Sequence, residues 1–97
     1  MKREEILSKA HDLINGDRAE EYGDADVNFN RIANGWSLIL GSHVTADQAA
    51  LCMVWLKISR LCNTPNHVDS FVDAAGYVAL AGELANNRTT GVKARGT

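Results

Sequence analysis

The segment from Thr45 to Cys62 limits what this chain can become more than any other. It opens with Thr45-Ala46-Asp47-Gln48, a capping box. The Thr45 hydroxyl and the Gln48 amide each satisfy a backbone N–H that a first helical turn leaves without a partner. It continues as AALCMVWLKISRLC, apolar almost all round, and ends at CNTPN, where Pro65 cannot carry the helix on and constrains Thr64 before it. A helix with so little polar surface has to be central or lie in a subunit interface. With only 97 residues, the chain forms one small domain burying roughly 60–65% of its unfolded surface.

Helical periodicity recurs three more times, and strand signals are nearly absent. Ile6, Leu7, Ala10, Leu13 and Ile14 repeat at helical spacing before an Asn15-Gly16 stop. The linker DRAEEYGD follows, with Gly23 breaking any helix there. Phe29, Ile32, Ala33, Trp36, Ile39 and Leu40 then trace one stripe that ends at Gly41, with Asp24 or Asp26 available as the N-cap. A last segment runs from about His67 to Ala85, and Val68, Phe71, Val72, Ala75, Val78 and Ala79 provide its packing surface. Gly76, Gly82 and several alanines in it predict a close helix–helix approach. The expected architecture is all-α: a compact bundle of four short helices in a single domain over residues 1–87, followed by a flexible basic tail at 88–97 and completed by oligomerisation.

Composition narrows the function classes. The net charge of −2 conceals an asymmetry, because the tail NNRTTGVKARGT carries Arg88, Lys93 and Arg95 with no acid. The body is therefore more acidic than the total, which argues against a nucleic-acid platform. No apolar run approaches the roughly 18–20 residues that span a bilayer. The start, MKREEILSKAHDL, does not read as a signal peptide. A cytoplasmic protein with no membrane partner is the expectation. Cys52 and Cys62 lie ten residues apart on different faces of one helix. They cannot bridge each other without unfolding it, and lacking a CxxC spacing they read as buried free thiols.

The chemistry of the chain concentrates in its last two helices. Asp69 and Asp73 sit one turn apart inside HVDSFVDAAGYVALAGEL, where like charges at i and i+4 repel by about 0.2–0.5 kcal/mol. A carboxylate among Val72, Ala74 and Ala75 is costly to bury without compensation. A cation relieves both costs, and Mg²⁺ held by carboxylates usually holds a phosphate-bearing substrate as well. The bland alternative is that Asp69 caps the helix start and Asp73 lines a wet groove. Further acids that could complete a site are Asp47, Glu20, Glu21 and Asp24, although Asp47 in a first turn also simply complements the helix dipole. Lys57 and Arg60 stand three residues apart on the apolar helix. They either pair with an acid on a neighbouring helix, Lys57 with Asp69 or Asp73, or aim at a phosphate. Asn28 and Arg31 lie near a helix start, where phosphates meet free N–H groups. Tyr22 in the Tyr22-Gly23-Asp24 turn could stack on a base or staple the linker to the core, and His67 reads as a cap or surface group.

The order DRAEEYGDADVNFNRIANGW, VTADQAALCMVWLKISRL and NHVDSFVDAAGYVALAGELA resembles a small phage-encoded family of uncharacterised proteins, over nearly everything from the first helix to Ala85. More distantly, the YG turn, the basic helix and the acidic helix look like the MazG-like all-α nucleoside triphosphate pyrophosphohydrolases. That second resemblance implies a Mg²⁺ ion (with Mn²⁺ as an alternative), an NTP or dNTP cleaved to a monophosphate and pyrophosphate, and a homodimer or tetramer. It implies that Asp73 matches the acid of the last catalytic helix, followed by Tyr77. By residue, Asp69 and Asp73 would act as catalytic acids and metal ligands with Asp47, Lys57, Arg60 and Arg31 would hold phosphates, and Tyr22, Trp36 and Asn28 would contact base or ribose. The chain departs from the enzymes' E-E-x-x-E and E-x-x-D clusters. Its third helix offers only Asp47, and Ser70 stands three residues before Asp73. Two other readings are a non-catalytic nucleotide-binding protein that sequesters a signal or meets a host defence protein, and a helical interaction module in which the four charges form an ion-pair network.

Overall fold

A computed structural model describes residues 1–16 and 24–90 of the chain. Its helices are α1 (Arg3–Asn15), α2 (Ala25–Leu40), α3 (Ala46–Asn63) and α4 (Val68–Thr90). No strand occurs among the described residues, so the architecture is the expected all-helical one.

Each boundary has a local cause. The Asp24 side chain accepts from the Asp26 N–H at 3.1 Å and caps α2. That helix ends at Gly41, whose φ of 67° is the left-handed conformation that costs glycine nothing. The Gly41 N–H returns to the Ser37 carbonyl at 2.9 Å. The Ser37 hydroxyl then fixes the corner into α3, accepting from the Val44 N–H at 2.8 Å and donating to the Ala33 carbonyl at 2.7 Å. The capping box of α3 forms as read: the Thr45 N–H donates to Gln48 Oε1 at 3.0 Å, and the Gln48 N–H to Thr45 Oγ1 at 3.4 Å. Replacing Thr45 with Ala is expected to cost about 1 kcal/mol, seen as a lower urea midpoint with an unchanged slope; an unmoved midpoint would show that the Gln48 half alone holds this end.

The longest helix pair, α3 and α4, forms an antiparallel hairpin, with α1 packed on α4 and α2 packed on α3. The core beneath the hairpin consists of Phe29 and Ala33 from α2, Ala49 and Ala50 from α3, and Ala81 and Leu84 from α4. Four of these six residues are alanines, so the three helices approach closely. Phe29 is the largest side chain among them, its ring meeting Tyr77 edge-on at a centroid distance of 6.1 Å. On the α1 side, a Cβ at buried Gly76 would sit 3.0 Å from Ile14 Cγ2, so the missing side chain lets α1 dock.

Several packing expectations change. Gly82 is exposed with open space around it and mediates no close approach. In α4, Val72 is buried, but Phe71, Val78 and Ala79 are exposed. The helix instead buries Ser70, Gly76, Ala81 and Leu84, a face rotated toward α1 and α3. The stripe of α2 has the right period yet overruns its cover: Phe29 and Ala33 are buried, whereas Ile39 and Leu40 in the last turn are exposed. Leu7 of α1 is exposed as well. Cys52 and Cys62 are free, and both are exposed rather than buried, because α3 keeps one side of its apolar surface uncovered. The final helix runs on to Thr90, beyond Ala85, and positions 91–97 of the tail lie outside the described residues.

Candidate functional site at the turn of the α3–α4 hairpin

The antiparallel course of α3 and α4 brings residues equally distant from their connection side by side. Lys57, seven residues before Thr64, thus meets Asp73 on α4, with Lys57 Nζ 3.0 Å from Asp73 Oδ2. Their side chains are only 12% and 19% exposed. At that burial the pair is more than a solvated surface contact, since each charge loses much of its hydration and depends on the other. Between the two partners proposed for Lys57 by sequence, the structure selects Asp73.

Toward the hairpin turn the same pattern continues in looser form. Arg60 follows Lys57 on α3 and Asp69 precedes Asp73 on α4; both are exposed, and they make no ion pair with each other or with any other described residue. The turn itself is well held. His67 Nδ1 lies 2.7 Å from Ser70 Oγ, Ser70 is fully buried, and the Ser70 N–H donates to the His67 carbonyl at 3.1 Å. His67 thus sits directly before α4, with its half-buried ring bonded to the Ser70 hydroxyl and its carbonyl accepting from the first turn. Ser70, which sequence reasoning noted only as a missing acid, proves to be a structural anchor next to the carboxylates. The H-x-x-S spacing at a helix start was the signal, since residues three apart there lie within reach of each other.

The remaining candidates divide between two ends of the molecule. Asp47 is buried in the first turn of α3, ten residues before Lys57 and so about 15 Å away along the helix axis. Trp36 lies at that end too, packed against the core together with Val44 and Ala46. The structure does not bring either to the Asp69–Asp73 pair. Asn28 is half-buried and Arg31 exposed near the start of α2. There Phe29 touches Tyr77, one turn beyond Asp73. Ile14, at the end of α1, touches neighbouring Gly76. Both flanks of the linker are thereby anchored at one level of α4, whereas Tyr22, Glu20 and Glu21 lie outside the described residues. Among the described residues, no group of three or more His, Cys, Asp and Glu side chains could hold a metal ion. Asp69 and Asp73 are hard oxygen donors in the number that Mg²⁺ takes from a protein when phosphates and water complete its shell.

No described helix is long and apolar enough to cross a membrane. In comparisons with known proteins, the chain is 42% identical over 76 residues to the Gene 55 protein of Mycobacterium phage L5, covering 77% of this chain and 49% of that protein. It is 40% identical over 74 residues to the Gene 55 protein of Mycobacterium phage D29, covering 76% and 49%. The chain thus spans about half the length of the curated relatives it matches. No solved structure matches it. Residues 5–85, which include all four charged residues at the hairpin turn, match the domain of unknown function DUF6378, and the chain belongs to that family.

Proposed function

We propose that the chain is a Mg²⁺-dependent nucleoside triphosphate pyrophosphohydrolase, converting an NTP or dNTP to the monophosphate and pyrophosphate. One observation carries this reading: Lys57 on α3 meets Asp73 on α4 at 3.0 Å, with Arg60 and Asp69 exposed one turn nearer the same end of the hairpin. A triphosphate bound with its metal has matching chemistry, oxygens that attract ammonium and guanidinium groups and a cation that attracts carboxylates. Asp69 and Asp73 would hold the ion, which when bound polarises the phosphate oxygens as a Lewis acid. Lys57 would move from Asp73 to the phosphates, and exposed Arg60 would offer a bidentate contact. A carboxylate of the pair takes a proton from water as its oxygen bonds to the α-phosphorus, and the bond from that phosphorus to the bridging oxygen breaks, releasing pyrophosphate. The contact of Phe29 with Tyr77, one turn beyond Asp73, supports Asn28 and Arg31 near the start of α2 as nearby contacts. The distant likeness of the acidic helix to MazG-like enzymes points the same way.

A second reading keeps the nucleotide and drops the turnover: a binder that sequesters a nucleotide signal, as a phage protein facing a host defence would. It is favoured by the absence of a three-acid cluster among the described residues and by the neutralisation of Asp73 by Lys57. Incubation with a panel of NTPs and dNTPs in the presence of Mg²⁺ separates the two. The enzyme reading expects pyrophosphate from at least one, whereas none from any of them would sink it. Calorimetry with Mg²⁺ and a non-hydrolysable triphosphate then tests the binder, since no heat and no thermal shift would remove nucleotide from both readings.

A further inference from the structure

The α3–α4 hairpin is covered on one side only. At about 100° of rotation per residue, Leu51, Trp55 and Ile58 of α3 fall on one narrow stripe. That stripe lies roughly 100° around the helix from the edge that carries Ala50 and Lys57 toward α4. In α4, Phe71 and Val78 share a stripe lying roughly 130° from the edge that carries Asp73 and Tyr77 toward α3. Because the helices are antiparallel, the two rotations bring both stripes to the same side, away from the side where α1 docks at Gly76 and α2 at Ala49 and Ala50. All five residues are exposed, Trp55 by 71%. Such a face does not stay in water without a use.

We propose that a second copy of this chain covers it, hairpin against hairpin, so that two α3–α4 pairs make one four-helix bundle about a two-fold axis. Three observations select a copy over another partner. The face carries no charge: the stripes and their neighbours Cys52, Ser59, Ala74 and Ala75 are all neutral. When the same patch meets itself, as a two-fold axis requires, no like charges are opposed; an acidic or basic partner would find nothing to pair with. The spacings of four and three between Leu51, Trp55 and Ile58 are those of a seam that packs against another helix. The core of the single chain, four alanines with Phe29 and Leu84, also leaves much apolar surface to be buried elsewhere. Dimerisation through this face does not require the nucleotide reading to hold.

Sedimentation equilibrium on the full chain at micromolar concentration tests it. One chain is 10.5 kDa, so the expected species is twice that, 21 kDa. Trp55→Glu and, separately, Phe71→Lys are each expected to give the 10.5 kDa species with unchanged helical circular dichroism, because neither side chain belongs to the buried core. Leu38→Glu, at a position of α2 that is 86% exposed and outside the face, is expected to leave the dimer intact. A monomeric parent chain would overturn the proposal, as would a dimer that survives both hairpin substitutions.

Discussion

Asp73→Asn is expected to lower pyrophosphate release by about 100-fold or more, since loss of even an outer-shell partner of a metal ligand costs 10–100-fold and Asp73 would be a ligand itself. The same substitution leaves the Lys57 ammonium without its carboxylate at 12% side-chain exposure, and an orphaned, partly buried charge costs about 1–3 kcal/mol. The two effects separate in a double variant. Adding Lys57→Met removes the orphan and replaces the stem with an apolar side chain of similar length, so stability is expected to recover while turnover stays lost. Chemical denaturation and a pyrophosphate assay on the four members of this cycle read both quantities. Full turnover in Asp73→Asn would remove the carboxylate from the mechanism. Undiminished stability would instead place the pair among weak surface contacts.

Phe29→Ala is expected to cost about 3–5 kcal/mol, the range for deleting a buried aromatic side chain. Phe29 is 4% exposed, its ring lies edge-on to Tyr77, and its other core neighbours are mostly alanines, which are too short to collapse into the space. In a domain whose whole stability is of order 5–15 kcal/mol, that loss lowers Tm by at least about 12 °C. The measurement belongs at fixed protein concentration, because association of folded chains raises apparent stability. A loss below about 1 kcal/mol would mean that the Ser37 corner, and not the aromatic contact, holds α2 to the hairpin.

What could be read from the sequence was whatever the backbone decides locally. The Thr45–Gln48 box, Gly41 as a stop, Asp24 as a cap and Pro65 as a break all act within four residues of themselves, and all stand where the sequence put them. Periodicity also found a stripe on each helix, but it reports only that a face is apolar, not that another helix reaches it. Ile39, Leu40, Phe71, Val78 and the two cysteines were misplaced for that reason. At the candidate site, the clash between Lys57 and an apolar helix, and between Asp73 and its alanines, predicted that each needed a partner. The roughly 15 Å between Asp47 and Lys57 follows from their ten-residue spacing on one helix, but which aspartate met Lys57 depended on the register of the hairpin. No local signal carries that register, since it is set by core contacts such as Ala50 and Ala81, which look alike in any alignment of the two helices.

The docking of α1 at Gly76 has a consequence for how the molecule is made. Ile14 and the glycine it packs against are separated by 62 positions in the chain, so α1 leaves the ribosome well before its receptor exists. At about 5–20 residues per second that interval is roughly 3–12 s, during which Leu13 and Ile14 have no native surface to meet. The hairpin, whose partners are close in sequence, closes with far less loss of chain freedom and assembles as soon as α4 emerges. Of the four described helices, the earliest made is the last to find its place.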